Sequence, residues 1–248
     1  MTTYRALLAA LLLSPSLLLA ASLNQSAWVP NTSNYEYGHN SIPNMQITGA
    51  PADADWSRWA MLHDKSAYRL YAFKKGSKDT IYQFAFNPDT EAYEYGYDSI
   101  PELKLVGTPA DADTSTFAML HDGSAYRLYL KQRGNPNKLY QFAWVDGTET
   151  YKFGHNSIPA MNITGFPADT DWSRWEMLHD GSAYRIYAFK RGSKTQFYQG
   201  SFNRANNQYQ YGLNSIPVLN LVGMPATNNP RVGLLHDGSA YRLYFLGN

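Results

Sequence analysis

Apolar and polar residues alternate along this chain in short runs, each closed by Gly, Asp, Asn or Pro. Alternation over about four to eight residues places successive side chains on opposite faces of a strand, so it predicts β-structure throughout. In one stretch the residues from Arg58 to His63 form a run, Asp64-Lys65 makes a tight turn, and Ala67 to Lys74 is the next strand, ended by Gly76. A third strand runs from Thr80 to Phe86. A fourth short piece, Tyr93 to Gly96, leads through Ser99-Ile100-Pro101 to the alternating Leu103-Lys104-Leu105-Val106-Gly107. No stretch has an apolar period of about 3.6, so helices are expected to be minor.

The same runs recur. His63, His121, His179 and His236 stand in a shared Leu-His-Asp segment at spacings of 58, 58 and 57 residues. Gly38, Gly96, Gly154 and Gly212 mark a second segment, Tyr-x-Tyr/Phe-Gly-x-x-Ser-Ile-Pro in all four copies, at intervals of 58. The turn after each His is Asp-Gly in three copies (Asp122-Gly123, Asp180-Gly181, Asp237-Gly238), a strong hairpin signal. Four copies of one supersecondary unit predict a repeat architecture.

The ends of the chain refine this. The last copy stops after Tyr241-Arg242-Leu243-Tyr244-Phe245 and lacks the third strand, while Gln25-Ser-Ala27-Trp28-Val-Pro30 lines up with Gln83-Phe-Ala85-Phe86-Asn-Pro88. One repeat is therefore split between the termini. Pairing the first strand with the last hairpin would seal a ring and remove an exposed edge, whereas an open solenoid would carry atypical capping repeats. The expected fold is all-β: a closed four-bladed β-propeller over residues 22–248, built from four repeats of about 58 residues, with the N-terminal strand completing the last blade.

The order Ser157-Ile158-Pro159, Gly165-x-Pro167-x-Asp169, Asp180-Gly181-x-x-Tyr184, Phe189-Lys190-x-Gly192 and Tyr198 resembles the repeat of hemopexin-type domains. The resemblance covers residues 22–248 through turn and core positions and implies four blades around a channel that could hold a metal or other ion. It departs from the family in two ways. The Asp-Ala-Ala inner-strand signature is replaced by Trp175-Glu-Met177 or Phe117-Ala-Met119, and the cysteines that join first and last blades are missing.

Composition narrows the partners. Hydrophobic residues make up 44% and charged residues only 17%, so the chain can bury a core and is no disordered tail. Formal charge is +1, and without Arg5 basic and acidic residues balance, which predicts no general attraction to nucleic acid or anionic lipid. Residues 1–21 read as a secretory signal peptide, with Arg5, the apolar run Ala6 to Leu13, and Leu19-Ala20-Ala21 at the end. Ser14-Pro15-Ser16 breaks that run, so no membrane span is expected once it is removed, and the expected location is secreted or periplasmic. With no cysteine, stability must come from packing.

Three sets of side chains carry candidate chemistry. If the run before each turn is innermost, His63, His121, His179 and His236 could converge on the axis and ligate a transition metal; alternatively each bonds within its own blade. Arg69, Arg127, Arg185 and Arg242 are expected to be buried and paired with Asp64, Asp122, Asp180 and Asp237. The third set is the departure from fourfold symmetry. The first and third copies alone share Trp-Ser-Arg-Trp, as Trp56, Arg58, Trp59 and Trp172, Arg174, Trp175. These pseudo-twofold surfaces could bind a glycan or extracellular polymer, Trp stacking on a sugar and Arg bonding hydroxyls or carboxylates, or could simply pack. No catalytic residues are assigned: neighbouring His, Asp and Ser on one hairpin do not make a triad, and no phosphate loop, zinc helix or thiol site occurs. The expectation is thus a secreted, non-catalytic, lectin-like binding protein, with an ion-holding propeller second and a propeller hydrolase third.

Overall fold

The computed structural model describes residues 22–64, 66–225 and 231–247. The signal peptide expected over residues 1–21 lies outside them.

Every described element is a strand. The chain opens with β1 (Ser22–Trp28), β2 (Asn34–Tyr37) and β3 (Met45–Thr48). The first complete repeat holds β4 (Ala54–His63), β5 (Tyr68–Lys74), β6 (Thr80–Asn87), β7 (Ala92–Tyr95) and β8 (Glu102–Val106). The second repeats them as β9 (Ala112–His121), β10 (Tyr126–Gln132), β11 (Asn135–Val145), β12 (Thr150–Phe153) and β13 (Ala160–Thr164). In the third come β14 (Thr170–His179), β15 (Tyr184–Lys190), β16 (Gln196–Asn203), β17 (Gln208–Tyr211) and β18 (Val218–Val222), before the final β19 (Val232–His236) and β20 (Tyr241–Leu246).

Within a repeat the pairing runs β4–β5–β6 antiparallel, and the long β6 is then shared. Its first residues pair with β8 and its last with β7. The split repeat completes itself across the termini, with β1 antiparallel to β20 from Leu23↔Leu246 to Ala27↔Arg242. The repeats are not separate sheets. Short parallel pairs join each to the next, β3 to β7, β8 to β12, β13 to β17 and β18 to β2. Twelve outer strands thereby close into a hydrogen-bonded ring, from which the hairpins β4–β5, β9–β10, β14–β15 and β19–β20 extend inward. The four inner strands β4, β9, β14 and β19 pack side by side around the axis.

Alternation along each strand fills four cores, one at every junction between neighbouring repeats. That between the first and second, for example, joins Tyr71 and Phe73 to Phe117, Met119 and Tyr151. The hairpin expected at each Asp-Gly segment is present: His121 pairs with Tyr126, and the Asp122 amide donates to the Ala125 carbonyl at 3.1 Å, as the Asp64 amide does to the Ala67 carbonyl at 3.0 Å. Asp64 closes the loop, its Oδ1 accepting from Ser66 and from the Ala67 amide at 2.6 Å, a side-chain cap that explains the fixed Asp-x-Ser-Ala order.

Candidate functional site

The Asp that closes each loop uses its other oxygen on the predicted Arg. Nε donates to Oδ2 at 2.6 Å in Arg69–Asp64 and Arg127–Asp122, and at 2.5 Å in Arg185–Asp180 and Arg242–Asp237. Burial alone would raise these carboxyls, but the bonds from Arg, Ser and backbone amides outweigh it and hold all four below the usual range, Asp237 at about 2. Each Arg Nη1 donates to a backbone carbonyl two residues after the repeated glycine, at Asp98, Asn156, Asn214 or Asn40. That carbonyl is presented by a turn in which Gly154 and Asn156 both have positive φ, 70° and 41°, which explains Gly-x-Asn/Asp in every copy.

A second network explains Gln and Ser-Ile-Pro. Gln141 Nε2 donates to the Tyr129 hydroxyl at 2.6 Å, its Oε1 accepts the Ile158 amide at 2.9 Å, and its backbone amide reaches the Pro159 carbonyl. Gln83, Gln199 and Gln25 make the same side-chain bonds in their copies.

Together these networks frame a recurring cavity at the junctions. About 480 Å³ lies between the second and third repeats, lined by Arg127, Gln141, Ile158, Tyr184 and Phe202 among others. The corresponding residues line about 350 Å³ between the split and first repeats (Arg242, Gln25, Ile42, Tyr68, Phe86) and about 590 Å³ between the first and second (Arg69, Gln83, Ile100, Tyr126, Trp144). Volumes of roughly 300–1,000 Å³ with apolar walls and a few converging polar groups suit small ligands. The wall tyrosines also link repeats, the hydroxyls of Tyr68, Tyr126, Tyr184 and Tyr241 donating to the carbonyls of Asp237, Asp64, Asp122 and Asp180.

The histidines lie on the other side of those tyrosines. His63, His121, His179 and His236 line one mouth of the axis around a cavity of about 210 Å³. Each ring packs on the tyrosine five residues later, at centroid distances of 4.6 to 4.8 Å. Burial pushes His179 and His236 down. They share a rim, but among the described residues no three His, Asp, Glu or Cys side chains come close enough to hold a metal ion.

The Trp-Ser-Arg-Trp segments are placed differently from the binding surface expected of them. Trp59 is 0% exposed and Trp175 1%, so neither offers a face to a ligand. Arg58 and Arg174 bond Asp55 and Asp171 at 2.7 and 2.8 Å and lie over Phe73 and Phe189. The carbonyls of Ser77 and Lys74 accept from Arg58 Nη1 and Nη2 at 2.9 Å, so the Arg is held by its own repeat. Trp56 and Trp172 are half-buried beside the junction cores, Trp56 against Phe84 of its own repeat and Trp172 against Lys131 of the preceding one. Trp59 and Trp175 are packing, and Arg58 and Arg174 are held in ion pairs; the cavities went unpredicted because each draws on two repeats, and its residues recur in every copy.

At the axis end away from the histidines, fourfold symmetry fails. Glu176, 0% exposed, stands where other copies have Ala60, Ala118 and Gly233, and its Oε1 accepts the Met177 amide at 2.9 Å. Burial pushes its carboxyl well up. Arg231 spans to the Ser57 and Ser115 carbonyls at 2.8 and 3.1 Å. Lys131, 4% exposed, replaces the Phe73 and Phe189 of other copies. Its Nζ lies 3.4 Å from the centre of the Trp172 ring with no hydrogen-bond partner among the described residues. Burial pushes it down to about 6, against the pull of Asp113.

No protein-family model and no curated protein matches this chain. Among solved structures it is similar to AofleA from Arthrobotrys oligospora, at 12% identity and a TM-score of 0.37, over 85% of this chain and 56% of that one. The chain thus spans little more than half the length of that neighbour.

Proposed function

We propose that this chain is a multivalent glycan-binding protein on a four-bladed β-propeller scaffold, with its sites in the cavities between repeats. The carrying observation is the recurrence of one set of lining groups at three junctions. Each offers half-buried aromatic rings to the C–H face of a pyranose, and an Arg whose Nε and Nη1 are fixed by Asp and a backbone carbonyl while Nη2 takes part in neither bond. A pre-set donor beside a ring wall suits a neutral, hydroxyl-rich ligand. Several weak sites on one chain give avidity for a repeating polymer or branched surface glycan. Export through a leader in residues 1–21 would bring the protein to such ligands.

An ion held on the axis is the second reading. It rests on the four histidines sharing one mouth, and it is the weaker because no ligand set converges there among the described residues.

A glycan array followed by isothermal titration of the hit tests the proposal. Stoichiometry above one per chain is expected. Arg127→Lys, which keeps a cation beside Asp122 but removes the fork, should delete one site with the melting temperature nearly unchanged. Binding untouched when Arg69, Arg127, Arg185 and Arg242 are all Lys in a folded chain would overturn it.

A further inference from the structure

The junctions share their Arg, Gln, Ser, Ile and tyrosine positions but differ in an aromatic wall and in an aliphatic position that is Met45 and Met161 in two copies and Leu103 and Leu219 in the others. Going round the ring, the aromatic near the end of the shared strand is Trp28, Phe86, Trp144 and Phe202 in turn. Phe86, Trp144 and Phe202 line the three cavities, and all four rings are half-buried. Trp28 holds the matching position between the third and split repeats. It packs edge-on against Tyr35 at 5.3 Å between centroids, as Trp144 does against Tyr151 at 5.4 Å. Phe86 and Phe202 meet Tyr93 and Tyr209 at 5.5 and 5.2 Å, tilted rather than edge-on, so the ring changes against the same tyrosine neighbour.

We infer that the four junctions form two alternating affinity classes, Trp28 and Trp144 marking the tighter pair and Phe86 and Phe202 the weaker. The inference rests on the glycan-binding reading above. An indole offers a broader face than a phenyl ring and adds an N–H donor, which Phe lacks. The cavity beside Trp144 is the largest of the three described. A tryptophan junction should hold a pyranose about three- to tenfold more tightly than a phenylalanine one. Two tight sites on opposite sides of the ring give the protein the pseudo-twofold character that Trp-Ser-Arg-Trp suggested, carried by other residues.

Methyl glycopyranosides of the common hexoses, titrated singly into the chain by calorimetry, test this. The expected isotherm has two classes of site for at least one glycoside. Phe86→Trp with Phe202→Trp should merge them into a single tight class, and Trp28→Phe with Trp144→Phe into a single weak one. Four equal sites in the parent, unmoved by either pair of exchanges, would overturn the two-class inference and leave glycan binding standing. No heat with any glycoside at millimolar concentration, from a chain with native circular dichroism, would overturn both.

Discussion

The two ends of the axis solve the same problem in opposite ways. At the loop end four Asp–Arg pairs repeat at 2.5 to 2.6 Å, and four Gln–Tyr bonds accompany them. At the other end the equivalent positions hold Ala60, Ala118, Glu176 and Gly233, while Lys131 stands in for Phe. Strict repetition survives where each polar group finds partners in its own repeat or the next. It fails where one repeat packs tightly on the next: a Cβ on Gly233 would lie 2.6 Å from atoms of Trp59 and Met61. Broken symmetry on an axis is therefore a packing solution, and a poor guide to the ligand.

The largest test is at the repeated end. Arg127 and Asp122 are 8% and 16% exposed, so Arg127→Ala leaves a largely buried carboxylate unpaired, at a cost of about 3–5 kcal/mol. The melting temperature should fall by about ten degrees. These carboxyls titrate below their unfolded values, so their contribution is present above about pH 4 and is lost as pH falls toward about 2. A loss under 1 kcal/mol in thermal or urea unfolding would mean that the Asp–Arg pairs do not carry the fold.

That end was also the legible one. Asp and Arg five residues apart in every copy implied a buried pair, and Gln25, Gln83, Gln141 and Gln199 marked the register that closes the termini. The parallel stitches between repeats were not legible, because strands of four residues such as Met45–Thr48 carry too little pattern to reveal a partner in another repeat. Nor were the cavities, whose walls pair Arg127 with Phe202 from the following repeat. Trp59 and Trp175 misled because a large aromatic at an unrepeated position suits a core as well as a surface.

Lys131 tests the irregular end. Its buried amine, unpartnered in hydrogen bonds, replaces an aromatic, so Lys131→Met should stabilise by about 2–3 kcal/mol. The sign follows from its titration. The folded amine ionises near 6 and the unfolded one near 10.4, so between these values the unfolded chain binds more protons and stability rises with pH. Urea unfolding from pH 6 to 9 should show that rise in the parent and not in the Met variant. A stability loss in the variant would instead make the contact with Trp172 a net gain.

Gly233→Ala should cost about 1–3 kcal/mol, since Trp59 and Met61 must move to admit the methyl group. Ala already occupies the matching positions 60 and 118, so the cost measures how far one repeat has fitted itself to its neighbour. A neutral outcome in thermal unfolding would show that this end of the axis relaxes easily.

The smallest effect belongs to the histidine rim. Burial holds His179 and His236 below their unfolded pKa against the pull of Asp180, Asp122 and Asp237, with Arg204 and the neighbouring imidazoles acting in the same downward direction. A folded pKa below the unfolded value near 6.5 means that their contribution is complete above about pH 6.5 and fades as pH falls. Both rings are half-buried at the mouth of an open cavity, so solvent screens the effect, and only a slight drop in melting temperature is expected between pH 7 and 5. Lys131 pushes in the same direction from a neighbouring pH window, so the comparison belongs in the Lys131→Met background. There, His179→Gln with His236→Gln should flatten the remaining slope. A slope that survives both exchanges would place the acid-sensitive group elsewhere and leave the rim a neutral lining of stacked rings.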